Sequence, residues 1–181
     1  MKENPMLSFC IRWGFIIAGL NILLTLVLYA VNVAKLASIS MGFLFFAINV
    51  GLLVYAGINY RKFKGGYADF KTMLIALFVV QIISGGIGVL FNTLLYHVID
   101  PTIPEQLIEA TLENTEDFMM RFDLPVDDID ETLENTEVEL RKSLSVEGLL
   151  FSFFWPGLAL SIAAALILAA ILKKNKPIFE E

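Results

Sequence analysis

The sequence predicts an all-α membrane protein: four transmembrane helices, with an extracytoplasmic acidic amphipathic helical hairpin between the third and fourth. Three observations carry that prediction. Of the 181 residues, 57% are hydrophobic, and the mean hydropathy is +0.71. A soluble domain of this size could not hide so much apolar surface, because small domains leave much of their chain exposed. The apolar residues also gather into four runs, each long enough to cross the roughly 30 Å hydrocarbon core. Finally, the charge is partitioned. Asp100 to Glu147 holds 15 acids against Arg121, Arg141 and Lys142, a net of −12, while the rest of the chain is +6.

The first run goes from Trp13 to Val31, with Leu7 to Ile11 extending it toward the N-terminus. A second goes from Ile39 to Asn59, a third from Thr72 to Tyr96 and a fourth from Leu149 to Leu172. Residues 1–99 thus hold the first three spans, with a basic loop at 61–71. Residues 100–147 form the acidic insert, and 148–181 the fourth span with a basic tail.

Orientation follows from Lys and Arg, which cytoplasmic loops retain. Arg61, Lys62, Lys64 and Lys71 lie between the second and third runs, and Lys173, Lys174 and Lys176 follow the fourth. An even number of spans puts these segments and the N-terminus on one side. Both termini are therefore expected in the cytoplasm of a bacterial inner membrane, and the acidic insert outside. Trp13, Tyr55 and Tyr60 flank the basic side, and Tyr29, Tyr96, Phe151, Phe153, Phe154 and Trp155 the acidic side, as aromatic belts do. Pro156 lacks a backbone donor and is expected to bend the fourth helix.

Within the insert, Thr102-Ile103-Pro104-Glu105 fits a capping box with Pro in the first turn. Ile103, Leu107, Ile108, Leu112, Met119 and Phe122 then recur at three- and four-residue steps. After a break from Arg121 to Pro125, Asp127 or Asp128 is placed to cap a second helix. There Ile129, Leu133, Thr136, Leu140 and Leu144 make one stripe, with acids early and Arg141 and Lys142 late, as the helix dipole favours. The segment Ile108 to Glu116 recurs as Ile129 to Glu137, offset by 21 residues. Pro125 between the copies favours an antiparallel hairpin over one continuous coiled coil. Leu112, Glu113 and Glu116, repeated as Leu133, Glu134 and Glu137, are the candidate partner surface.

Small residues at four-residue spacing let helix backbones approach closely in lipid. Gly157, Ser161, Ala165 and Ala169 form such a ladder on the fourth span, Ser84 and Gly88 on the third, and Gly14 and Ala18 on the first. Asn21, Asn49, Gln81 and Asn92 are amides inside the spans. Each costs several kcal/mol in hydrocarbon unless hydrogen-bonded, so they are expected to face one another, as clamps or as a polar pathway. No acid or base lies deep in a span, which tells against a proton-coupled pump.

Catalytic and cofactor chemistry finds no purchase. Cys10 is the only cysteine, so an intrachain disulfide and a thiolate metal cluster are excluded. Phe9 is too large to precede a lipid-modified Cys, and the first apolar run lacks the small-x-small exit of a signal peptide. His97, the sole histidine, sits near the outer interface as an anchor. Asp127, Asp128, Asp130 and Glu131 lack the glycine a calcium loop needs. No Gly-rich phosphate loop and no nucleophile paired with a base is present, and no basic tract suits nucleic acid.

Three segments carry a resemblance: Tyr60-Arg61-Lys62-Phe63-Lys64-Gly65-Gly66-Tyr67-Ala68-Asp69-Phe70, Tyr96-His97-Val98-Ile99-Asp100-Pro101 and Ala169-Ala170-Ile171-Leu172-Lys173-Lys174. In these, and in its layout of spans, the chain resembles the uncharacterised bacterial family known as domain of unknown function 4199. These are four-span membrane proteins found mostly in Gram-negative bacteria of the Bacteroidetes group. The resemblance implies an inner-membrane location and a variable helical insert before the last span, with no activity and no catalytic residue to carry over. The expected function is non-enzymatic association through the acidic insert. The expected partners are the lipid bilayer and a second copy or another membrane protein. A small oligomeric permease or channel, and an accessory subunit of an enzyme acting on lipid-linked substrates, are the alternatives.

Overall fold

The structure, a computed structural model, describes residues 5–122 and 125–176. Helix α1 covers Pro5–Val31, α2 Ile39–Phe63 and α3 Phe70–Leu94, the last prolonged by a π turn over Leu95–Ile99. Helices α4 (Ile103–Met120) and α5 (Val126–Ser143) occupy the acidic block. The last span is α6 (Val146–Ser152), a π turn over Phe153–Gly157, and α7 (Leu158–Leu172). Among the described residues, four elements are long and apolar enough to cross a membrane: Pro5–Val31, Ile39–Phe63, Phe70–Ile99 and Val146–Leu172. The chain is therefore an all-helical, four-span protein.

These helices overrun the apolar runs because backbone pairing continues into the headgroup zone, where charged and aromatic side chains are welcome. Local chemistry sets their ends. The Asn32 side chain accepts from the Ala34 amide at 2.9 Å and starts a 3-10 turn over Val33–Ala37, which links α1 to α2. After α2 the Gly66 amide donates to Arg61 and the Gly65 amide to Lys62. With φ of 80° at Gly65 and 92° at Gly66, this is a Schellman ending that needs glycine. Asp69 caps α3, accepting from the Thr72 amide at 3.1 Å and from its hydroxyl. Ala68 and Lys174 exchange backbone hydrogen bonds of 2.9 and 2.8 Å, which pins the α2–α3 loop to the chain beyond α7. The π turn holding Pro156 absorbs its missing donor inside the span.

Two caps form differently from the sequence pattern. Thr102 stands in helical conformation and makes no side-chain cap. Its amide and hydroxyl instead donate to Asp100, at 3.1 and 2.6 Å, and Glu105 is drawn to Arg141. Helix α5 starts at Val126 behind Pro125, so Asp127 and Asp128 lie in its first turn rather than at its cap. Proline is pre-set for a helix start and supplies the entry angle without a side-chain bond.

Helix α3 is the centre of the bundle, flanked by α1 and α7 and touched by α2. The packing is strongly uneven along the membrane normal. The buried residues of α1 are Cys10, Gly14, Ile17 and Ala18, those of α2 Leu53, Ala56, Gly57 and Tyr60. Those of α3 are Met73, Ala76, Leu77 and Val80, and those of α7 Ala165, Leu168, Ala169 and Leu172. Every one lies in the half of its span nearer the basic loop. A second, smaller core sits at the acidic end, where Ile103 and Leu107 of α4 pack on Leu95 and Tyr96, with Leu36, Phe91, Leu144 and Leu149 around them. Between the two cores the bundle is open.

Candidate functional site

The gap between the cores is a cleft of about 400 Å³. It is lined by Asn21 and Thr25 from α1, Phe45 and Asn49 from α2, Gln81, Ser84, Gly85, Gly88 and Asn92 from α3, and Ser161 from α7. It exists because the buried residues of α2, Leu53, Ala56, Gly57 and Tyr60, all lie in its second half; no residue between Ile39 and Leu52 is buried. Glycines 85 and 88 leave the α3 wall flat, and a Cβ at Gly88 would meet nothing within 4 Å.

All four intramembrane amides named from the sequence line this one cleft. Asn21 and Asn49 form a reciprocal pair, and each also donates to the carbonyl four residues before it, Ile17 and Phe45. Gln81 donates across the bundle to the Ser161 carbonyl at 3.2 Å, tying α3 to α7. Asn92 stands apart: among the described residues its side chain has no hydrogen-bond partner, and neither has the Thr25 hydroxyl. These two residues also line a recess of about 280 Å³ with Leu36, Tyr96, Leu107, Thr111 and Leu144, so the cleft continues beneath α4 and α5.

The small residues take several roles. A Cβ on Gly14 would fall 2.5 Å from Ile83 Cγ2 and 2.7 Å from its Cβ, so α1 and α3 are in close approach there. Ala165 and Ala169 are buried in the larger core, and Ala18 is buried as well. Ser84 and Gly88 instead face the cleft, and Gly85 receives the Phe153 ring, which a Cβ would meet at 2.9 Å. Gly157 faces the Ser152 carbonyl at the end of α6, and Ser161 accepts from Gln81 through its carbonyl. Two close approaches carry no spacing signature and escaped the sequence reading. Gly57 lies against Leu172 of the last span, and Gly148 lies where a Cβ would sit 2.0 Å from the Lys142 carbonyl.

At the acidic end α4 and α5 run antiparallel, fastened by Arg141. Its guanidinium grips Glu105 at 2.6 and 3.0 Å and Glu137 at 2.9 Å. This holds the Glu105 carboxyl below its ordinary value and raises the arginine further. Asp100 is likewise lowered, mainly by Thr102, and accepts from the Tyr29 hydroxyl at 3.0 Å. His97 meets the Leu144 carbonyl at 3.0 Å. Since a carbonyl only accepts, Nε2 carries the proton.

The candidate partner surface divides. Glu113 and Glu134 are exposed, whereas Leu112 and Leu133 are half-buried, as are Glu116 and the Arg141-bound Glu137. The two copies of the repeat share more than sequence: Ile108 and Ile129 are both buried, and Thr111 and Thr132 both bond back to the carbonyl four residues earlier. Between the two copies, Phe118, Met120, Phe122 and Val126 form an exposed apolar tip. Among the described residues, no three His, Cys, Asp or Glu side chains are grouped to hold a metal.

With spans, cleft and acidic pair in place, the model of a protein family of unknown function, DUF4199, matches residues 12–174. The chain belongs to the DUF4199 family. That match runs from within the first span to just beyond the fourth, so the cleft, the core at the acidic end and the acidic pair lie inside the DUF4199 region, as does all of the first core but its N-terminal edge at Cys10. No curated protein and no solved structure matches the chain.

Proposed function

We propose that this DUF4199 protein is a non-enzymatic subunit of a bacterial inner membrane that works by association. Both termini lie in the cytoplasm, and the α4–α5 pair is its outward contact surface. The supporting observation is how the pair is seated. Its apolar stripe is consumed by the bundle through Ile103, Leu107 and Leu144, which leaves Glu109, Glu113, Asp117, Asp130, Glu131 and Glu134 facing solvent. Arg141 neutralises only Glu105 and Glu137. An uncompensated acidic face beside an apolar tip suits a basic, partly apolar protein surface, with charge setting encounter and the tip supplying contact.

The packed half of the bundle, where Tyr60, Met73, Leu77 and Ala165 are fully buried, argues against a permease within a single chain. The test is crosslinking in native membranes from benzoylphenylalanine placed at Phe118 or Glu134. The expected result is one discrete adduct, lost when Glu113, Glu131 and Glu134 become Lys. Adducts to lipid alone would refute the reading. A periplasmic reporter fused within residues 109–139 tests the orientation separately.

A further inference from the structure

The cleft has the features of a binding site, and its lining limits what it can hold. We propose that it takes an uncharged amphiphile, a lipid whose head carries hydroxyl or ester oxygens, entering from the leaflet at the acidic end.

Volume comes first: about 400 Å³, extended by about 280 Å³ beneath the helical pair, falls in the range of small-molecule sites. Polarity comes second. The Asn21–Asn49 pair spends its amide protons on itself and on two helix carbonyls. Asn92 and Thr25, nearer the acidic end, are left without a protein partner among the described residues. An amide at this depth is stable only with something to bond, and Asn92 supplies both a donor and an acceptor. A hydroxyl or an ester carbonyl answers that need.

Charge decides the class. Among the described residues, no Asp, Glu, Lys, Arg or His lines the cleft or the recess above it, so a charged head would lose its hydration with nothing to replace it. The acidic pair forms the roof, and its net −12 repels anionic headgroups at the entrance. Shape agrees with an acyl or similar chain as the apolar part: Phe45, Leu53, Ile17 and Val89 complete the walls, and Gly88 leaves open space. The packed core beneath makes this a blind site rather than a passage. The proposal is independent of whether the acidic face has a protein partner.

The experiment uses the full chain in phosphatidylcholine nanodiscs, with a diazirine-bearing diacylglycerol or a diazirine-bearing phosphatidylglycerol at equal mole fraction. Labelled peptides are mapped by mass spectrometry. Diacylglycerol should label the cleft faces of α1 and α3 in preference to phosphatidylglycerol. Gly88→Leu, whose Cβ would meet nothing within 4 Å, should abolish that labelling while the melting temperature holds. Asn92→Leu, which removes one hydrogen bond, should weaken it about fivefold and leave the fold no less stable. Equal labelling by both lipids would overturn the proposal. So would labelling that persists in both variants, or a cleft found crosslinked to a second copy of the chain.

Discussion

Asn21 and Asn49 exchange two hydrogen bonds, each of 2.9 Å, between α1 and α2. The pair sits where the packed core gives way to the cleft, and no residue of α2 before it is buried. It therefore works as the last fastener of α2. Changing either residue alone to Leu leaves the other amide without its partner, whereas changing both removes the demand. Thermal unfolding in detergent should show each single variant destabilised by about 1–2 kcal/mol. The double variant should be less damaged than the sum, with a coupling of about 0.6 to 1.7 kcal/mol, as for polar pairs in other membrane bundles.

The glycines should separate by what they face. A methyl on Gly148 would strike backbone, the Lys142 and Ser143 carbonyls at 2.0 and 2.7 Å, and nothing there can swing aside. Gly148→Ala should force α5 and α6 apart and cost about 3 kcal/mol or more, at the upper end of overpacking. At Gly14 the obstacle is Ile83, whose Cβ is anchored to α3, and Gly14→Ala should cost about 1–3 kcal/mol. Gly57→Ala meets first only the flexible end of Leu172 and should be mild, and Gly88→Ala, in open space, should be neutral or stabilising. Unfolding midpoints of the four variants give the order directly.

These contrasts show what was legible in the chain. The spans were, since hydrocarbon thickness fixes their length and apolarity; so were their boundaries to within a few residues, as Ile39 and Leu172 illustrate. Of the amides expected to face one another, Asn21 and Asn49 do, whereas Gln81 bonds the Ser161 carbonyl and Asn92 meets no protein partner among the described residues, because a helix carbonyl serves an amide as well as another amide does. The cleft was not legible, since it depends on which half of α2 packs, and α2 is nearly uniformly apolar along its length. Spacing also marked Gly88 and Gly14 alike, although one faces a void and the other a neighbouring helix. Gly148 gave no signal, for a lone glycine after an amphipathic helix is common. The cap at Thr102 failed because Asp100 and Arg141, remote or just upstream, competed for its two partners.

His97 should matter for structure through one bond. Its Nε2–H reaches the Leu144 carbonyl, 47 residues away, at the junction between α5 and α6. His97→Phe keeps a ring and loses the donor, so the end of α5 should exchange its amides faster and the chain should lose about 1 kcal/mol. His97→Gln can place an amide N–H near the same point and should restore part of the protection. Hydrogen exchange over residues 138–149 is the measurement. Equal exchange in all three proteins would show that the bond carries no stability.

The join between α4 and α5 should be sensitive to acid. Arg141 lowers the Glu105 carboxyl through its two hydrogen bonds, and Thr102 lowers Asp100. A group whose folded value is depressed stabilises the fold fully above its ordinary value and loses that contribution as pH falls through the depressed one. The effect should thus be complete at neutral pH and begin to fade below about 4.5, the ordinary value for Glu105. Both partners are exposed, so salt should weaken the contact as well. Glu105→Gln should mimic the acid form at neutral pH, raising proteolysis between α4 and α5 without unseating the spans. Arg141→Ala should do so more strongly, since it frees Glu105 and Glu137 to repel one another within a face already crowded with carboxylates. Proteolysis that is unchanged from pH 7 to pH 4, in low salt, would show that the apolar seam through Ile103 and Leu107 holds the pair by itself.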